Sequence, residues 1–428
     1  MSNAFSKEER VAFENILEGF QDALVLSRNV SVYNTDQTMM ERARDTIWRP
    51  MPYIAQSINS TPGNSIAGSY QNMTQLSVPA TIGYSQTVPW TMTTLELRDA
   101  LQEGRLGEAA KQKLASDINV AIMAVASAQG TLVVTTNAPA GTYDDVALCD
   151  SIMNEQGVPN YDRYLGLSSR DYNGLAGNIA GAAAAATRSF GGNKSNTAFE
   201  RSFVGMVAGF ETYKFDYANR VTANSANVTV DTTDTAIVDY VPQATSNAIG
   251  GQINVDNRFQ TITVSSTTGV SAGDAFTIDG IEAVHHITKS STGQPKTFRV
   301  IDVVNGTDLV ISPPIISASS TPTDAELQYK NCELVSSSAT APITFLNTAA
   351  ANINCFWQKD ALELLPGRYA VPSDAGAAVM RASTDQGIEL VMQKFYDIDS
   401  MTIKYRLDTL YGVVNKQPEM SGILLFNQ

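Results

Sequence analysis

VDNRFQTITVSSTTG, residues 255–269, has no helical period. Ile262 and Val264 alternate with Thr261 and Thr263, the period of two expected of a strand with one buried face. The run closes on Thr268-Gly269, a turn signal. The same Ser/Thr-rich, β-patterned texture extends from about residue 222 to about 346. Strands are expected at 227–231, 258–266, 274–279, 297–304 and 308–312. Asn305-Gly306 lies between the last two and is expected to make a type I′ hairpin turn, since both residues tolerate positive φ. The segment is expected to be a separate antiparallel β-domain or small barrel.

Helical texture brackets this segment. Upstream, residues 94–129 carry the strongest helical signal: Leu106, Ala110, Leu114, Ile118, Ile122 and Val125 recur three to four apart, and Gly130 follows as a stop. At about 1.5 Å per residue such a helix can exceed roughly 30 Å. A buried strand is expected at 131–135. A helix at 143–156 should follow, with Thr142 as N-cap and Asp144 and Asp145 in its first turn. A short strand at 164–167 and a small-residue helix at 170–188 come next. Gly181 through Ala186 lacks the Gly-Lys-Ser/Thr of a phosphate loop, so it implies close helix packing. Downstream, 347–428 returns to mixed α/β texture, and the alternation over 402–407 predicts a strand. A β-segment between two α/β segments is most simply an insertion into one parent domain.

Near the start, residues 5–28 form an amphipathic pattern. Phe13, Ile16, Leu17, Phe20 and Leu24 fall on one helical face. Glu14, Glu18 and Asp22 make an acidic stripe four residues apart, which costs a helix about 0.2–0.5 kcal/mol per pair. The stripe is either a solvated face or a docking strip for something basic. From 46 to 90, strand-like segments at 46–54 and 76–90 flank a polar stretch at 56–76. That stretch is either a linker or the tip of a long β-hairpin arm.

Composition excludes several function classes. The chain has 428 residues, is 43% hydrophobic and only 17% charged, and carries a net charge of −14. The acidic balance argues against reading free duplex DNA. Cys149, Cys332 and Cys355 are odd in number and far apart, which supports neither a disulfide framework nor a zinc site. The only histidines, His285 and His286, are adjacent in an expected strand and so point to opposite faces. No nucleophile elbow, zinc-protease, calcium-loop or dinucleotide motif is present. The expectation is a protein that is not an enzyme, with no catalytic residue, cofactor or metal. MSNAFSKEER lacks a signal-peptide core, and no run reaches the ~18–20 apolar residues of a membrane span. No membrane partner is expected.

The β-segment then becomes recognisable. Val255-Asp256-Asn257-Arg258-Phe259, Thr261-Ile262-Thr263-Val264 and Thr267-Thr268-Gly269 resemble the inserted domain of the P22 group of short-tailed phage coat proteins. Further short matches keep order and spacing: Asp45 through Pro50, Leu97-Arg98-Asp99, Val207 through Phe210, Asn354 through Trp357 with Asp360-Ala361, Leu410 through Val413, and Pro418-Glu419. Together they span residues 14–419.

The resemblance implies an α+β fold, the tailed-phage major capsid fold with an inserted all-β barrel. It assigns 1–35 to an N-arm, 36–131 to an E-loop and P-domain with its spine helix, and 132–221 to the first part of an A-domain. Residues 222–346 would be the inserted barrel, 347–390 the second part of the A-domain, and 391–428 the C-terminal strands of the P-domain. The implied function is a major capsid protein whose hexamers and pentamers close an icosahedral shell around double-stranded DNA, assembled in the host bacterial cytoplasm. The implied partners are copies of itself, a scaffolding protein and a portal protein. Glu14, Glu18 and Asp22 would bind scaffold. The loop at 240–257, with Asp239, Tyr240, Asp256 and Arg258, would touch a neighbouring capsomer. A cargo compartment shell of the same fold and a β-rich adhesion protein are the alternatives; the first generally lacks the β-insertion, and the second calls for a signal peptide and repeats.

Overall fold

The computed structural model describes residues 7–33, 46–51, 55, 57, 61–63, 65–67, 70–93, 100–141, 143–184, 201, 204–215, 218–231, 239–248, 251–318, 321–335, 340–369 and 378–428. The chain divides into two units. The first comprises Met1–Ile47, Pro79–Met123 and Leu362–Val414. The second comprises Trp48–Val78, Ala124–Ala361 and Asn415–Gln428.

In the first unit, helix α1 (Lys7–Ala23) buries Phe13, Ile16 and Phe20, the apolar stripe expected of it. Helix α2 (Ala100–Gln129) buries Ala110, Leu114, Ile118 and Ile122. The expected start at 94 lies outside the described residues. A six-stranded sheet runs in the order Ser31–Val32, Leu362–Pro366, Thr402–Asn415, Glu389–Asp397, Ala378–Ser383, and Tyr84–Thr93 also pairs with the long strand Thr402–Asn415. Its register sets Trp90 against Tyr405 and Tyr84 against Tyr411. Both pairs stack, with centroids 5.5 and 5.3 Å apart, the cross-strand aromatic contact that stabilises a sheet. Gly412 is required here: a Cβ would sit 2.4 Å from the Thr81 carbonyl oxygen.

In the second unit, another six-stranded sheet has the order Leu132–Thr135, Ser421–Leu425, Asn354–Gln358, Arg163–Ser168, Phe210–Phe215, Met206–Val207. Helices α3 (Tyr143–Glu155) and α4 (Ser169–Ala184) cover it, packing Val146, Cys149, Met153, Tyr172 and Leu175 with Leu165, Phe210 and Phe356. The expected N-cap Thr142 lies outside the described residues. Asp145, in the first turn of α3, accepts from the Gly141 amide at 3.5 Å. The C-terminal third of the chain contributes strands to both six-stranded sheets. Leu362–Pro366 and Ala378–Ser383 join the first sheet, whereas Ser421–Leu425 joins the second. The chain passes from one to the other through Asn415 and the 3₁₀ turn Pro418–Met420, a route that local strand pattern does not reveal.

The second unit also holds a seven-stranded antiparallel sheet: Val228–Asp231, Thr340–Phe345, Ala275–Val284, Ser291–Val303, Asp308–Ser312, Gln260–Thr263, with Cys332–Leu334 beside Ala275–Val284. A bridge from Val230 to Val264 joins its two ends and closes it into a barrel. Closure removes the free edges that invite unwanted pairing. Phe276, Phe298, Val300, Ile311 and Val264 fill the interior, none of them more than 1% exposed. The hairpin at Asn305-Gly306 is present, but its turn is not the expected type I′. The strands end at Val303 and resume at Asp308. The Asn305 side chain organises the longer loop by accepting from the amides of Thr307 and Asp308, each at 2.8 Å. A short helix, α5 (Asp324–Tyr329), interrupts the β-texture and was not expected. Its signal is the capping box Thr323 with Glu326, each side chain bonding the other's backbone amide.

One strand of the barrel latches onto the rest of its unit. Lys296 pairs with Glu419 at 2.5 Å, Thr297 donates to the Thr131 carbonyl at 2.7 Å, and Arg299 donates to the carbonyls of Ser127, Gly130 and Gly273. Ser127 and Gly130 lie at the C-terminus of α2, where carbonyls lack helical partners and a cation is favoured.

Candidate intersubunit and partner-binding surfaces

Two surfaces carry the residues singled out in the sequence. The first is α1. Its buried face fixes its rotation, and Glu9, 7% exposed, is tied to the sheet by Lys394 and by the Tyr405 hydroxyl at 3.2 Å. Four residues per step around the helix, Glu14 and Glu18 are exposed, and neither has an ion-pair partner among the described residues. The side chain of Asp22 lies outside the described residues.

The second surface is a hairpin, Thr245–Ala248 with Gly251–Asn254, which among the described residues forms a sheet only with itself. Its second strand is exposed at every residue, Ile253 to 54%. No charged residue occurs from 245 to 254. The charges lie at its root, and there they are engaged. Arg258, 7% exposed, forks onto both carboxylate oxygens of Asp256 at 2.7 to 3.2 Å. It also donates to the Asn415 carbonyl at 2.8 Å and lies 4.9 Å from the Phe259 ring centre. Tyr240 donates to Asn257 at 3.1 Å, and burial followed by the nearby Asp256 raises its pKa. Asn257 in turn holds the backbone of Gln243 and Val255. Asp239 accepts from the amide and hydroxyl of Ser317 at 2.7 and 2.8 Å. Asp239, Tyr240, Asp256 and Arg258, together with Asn257, build the root of the hairpin. Its described strands carry amides, hydroxyls and Ile253.

The histidines lie in the turn after strand Ala275–Val284, not in a strand. His285 Nδ1 accepts from the amides of Ile287 and Thr288, each at 3.3 Å. His286 is buried 3.7 Å from Glu419, and burial pushes its pKa down to about 4. Lys289 in the same turn is pushed down to about 8, again chiefly by burial. Cys149, Cys332 and Cys355 are buried free thiols. Burial raises all three pKa values, those of Cys332 and Cys355 to about 12, so thiolate chemistry is suppressed. Among the described residues no group of three or more His, Cys, Asp or Glu could hold a metal, and no helix is long and apolar enough to cross a membrane.

A family model described as "P22 coat protein - gene protein 5" matches residues 1–427. The chain belongs to the P22 coat protein family. It is a phage major capsid protein with the capsid fold of that family, a structural component assembled from copies of itself. Among solved structures it is similar to that of Mycobacterium phage Che8, at 10% identity over 92% of this chain and 88% of that one, TM-score 0.44. The capsid of cyanophage P-SCSP1u matches at 10% identity over 93% and 86%, TM-score 0.44. The I-domain of the CUS-3 coat protein is 38% identical over 29% of this chain and 99% of that one, TM-score 0.22.

Sequence reasoning missed the latch of Lys296, Thr297 and Arg299 and the role of Glu419. The available signal was charge within an apolar strand: Lys296 and Arg299 frame Phe298 and precede Val300-Ile301. A charge in a core strand asks for a buried partner.

Proposed function

We propose that this coat protein closes, as hexamers and pentamers, into an icosahedral shell around double-stranded DNA, and that a scaffolding protein guides assembly by docking basic residues on α1. The observation that carries the scaffold reading is the exposed acidic edge of Glu14 and Glu18, without an ion-pair partner among the described residues, on a helix whose other face is anchored. Asp22 extends that edge in sequence. A portal protein is the further partner, and assembly takes place in the host bacterial cytoplasm. No step of this function calls for catalysis. The net charge of −14 supports a wall that does not adhere to packaged DNA.

In this reading residues 1–35 are the N-arm, 36–131 include the loop that crosses a neighbouring subunit and the spine helix, and 222–346 are an inserted barrel that braces its own subunit through the latch on strand Ser291–Val303. The hairpin 245–254 meets a neighbouring capsomer through its polar strands, with Asp239, Tyr240, Asp256 and Arg258 setting its direction. Each contact can be weak, because many contacts per subunit act together. The test is co-assembly of the Glu14→Lys, Glu18→Lys double variant with the phage's scaffolding protein. Particles with strongly reduced scaffold content are expected. Normal scaffold content would sink the docking assignment.

A further inference from the structure

We propose that a cavity at the start of α4 binds a small phosphate-bearing anion between the side chains of Arg170 and Arg220. The cavity has a volume of about 420 Å³ and is formed within the second unit of a single chain. Arg170 and Asp171 reach it from the first turn of α4. Arg220 and Asn352 reach it from the paired strands Arg220–Val221 and Ala351–Asn352, and Phe426 from just beyond strand Ser421–Leu425. The register sets Arg220 directly opposite Asn352. Asn352 in turn donates to the hydroxyl of Ser168, the residue before α4, at 3.4 Å. The two elements that carry the arginines are thereby held at a fixed spacing.

Both arginines are exposed, and neither has an ion-pair partner among the described residues. Arg163, Arg258, Arg381 and Arg406, by contrast, each pair with a carboxylate, as expected in a chain with 43 acidic and 29 basic residues. The acid of the lining does not answer the arginines. Asp171 Oδ2 accepts from the Ser168 hydroxyl at 2.7 Å and from the side-chain amide of buried Asn354 at 2.9 Å. Arg170 also sits where its own helix opposes it, because the positive end of a helix dipole disfavours a cation in the first turn. An anion in the cavity reverses that penalty and is itself favoured by the dipole. A guanidinium offers a planar fork of N–H donors that fits phosphate oxygens, and two of them supply the two positive charges that a phosphate dianion matches. The volume falls in the range of about 300–1,000 Å³ typical of small-molecule sites, which leaves room for an organic body beside the phosphate. The net charge of −14 repels an extended polyanion over the rest of the surface, a cost that one small anion does not meet.

The test is calorimetric titration of the unassembled full chain with inorganic phosphate at constant ionic strength, repeated on Arg170→Gln and Arg220→Gln. The unaltered chain should bind phosphate saturably, with one site per chain. Each variant should bind about tenfold more weakly, the equivalent of one charge-assisted hydrogen bond. Lys113→Gln removes the same charge from an exposed position on α2 in the other unit, and should bind as the unaltered chain does. Because both arginines are exposed, the urea midpoints measured without phosphate should agree, which separates a lost site from a misfolded chain. Should either glutamine variant fail to fold, Arg170→Lys and Arg220→Lys take its place: they keep the charge, lose the fork, and should still bind several-fold more weakly. Absence of saturable binding to the unaltered chain overturns the site. Equal weakening in Lys113→Gln overturns it too, since overall charge would then explain the binding. Binding of a thymidine oligonucleotide that depends on both arginines, without binding of inorganic phosphate, overturns the small-anion assignment and gives the cavity to the DNA backbone.

Discussion

The edge of α1 and the root of the 245–254 hairpin look alike in sequence, each a short stretch with acids at its margin, and they use their charges in opposite ways. Glu14 and Glu18 stay in water without an ion-pair partner among the described residues. Asp239 and Asp256 are turned inward, onto Ser317 and Arg258. A charge in water is free to meet a partner and contributes little to folding. A charge buried with its counter-ion contributes to one geometry and is lost to any partner. The same residue types therefore mark a recruiting surface in one place and a structural joint in the other.

The largest effect should come from breaking the joint. Arg258→Ala leaves Asp256 with only the residue-258 amide of its present donors from that residue and takes the guanidinium from the Asn415 carbonyl, in a largely buried setting, and removal of one member of a buried pair costs about 3–5 kcal/mol. Urea unfolding of the unassembled chain should show that loss, with binding to scaffolding protein unchanged in the fraction that remains folded. An unchanged midpoint would place Arg258 on the recruiting side of the comparison after all.

A second effect comes from the other internal cluster, where His286, Lys289 and Lys296 converge on Glu419 and His285 adds to the positive field. Burial holds His286 near a pKa of about 4, with Glu419 opposing and the cations reinforcing. The unfolded chain, with an ordinary histidine near 6.5, binds the proton first. Stability is therefore full above about pH 6.5 and falls as pH drops toward 4, by about 3 kcal/mol if His286 alone titrates. Glu419 acts in the same direction. Its burial favours protonation, but Lys296, His286 and Lys289 outweigh burial and leave its pKa below the ordinary value. Its contribution is lost as pH falls through that lowered value. His286→Gln should flatten the slope between pH 6.5 and 4; an unchanged slope would assign the acid sensitivity elsewhere.

Local pattern revealed the elements that repeat a period. The apolar stripe of α2 and the strands around Ile262 and Val264 are where periodicity put them. The family motif Leu410-Tyr411-Gly412-Val413 has a physical basis in the Thr81 carbonyl that crowds Gly412. What escaped was long-range. Gln328 meets Asn72 and Thr74 across more than 250 positions of sequence, and no periodicity encodes that meeting. The route from Thr402–Asn415 to Ser421–Leu425 changes sheets within a few residues, so strands adjacent in sequence fall in different units. The exposure of Glu14 and Glu18 was legible because it follows from helical phase alone. The fate of Asp239, Asp256 and Arg258 was not, because it depends on Ser317 and Asn415.

The smallest stability change sharpens the comparison from the other side. E18K places a cation four residues after Glu14, replacing a like-charge pair by a favourably oriented opposite one. The folded chain should gain about 0.3 kcal/mol, a shift at the edge of detection in urea unfolding. Scaffold binding should weaken several-fold in the same protein, and the loss should shrink as salt rises, since exposed charges are screened beyond about 8–10 Å. Stability and recruitment would then move in opposite directions on one substitution, which a structural role for Glu18 does not permit. A loss of stability above about 1 kcal/mol would mean that Glu18 holds the helix in place, and the exposed acids of α1 would join the hairpin root as parts of the fold.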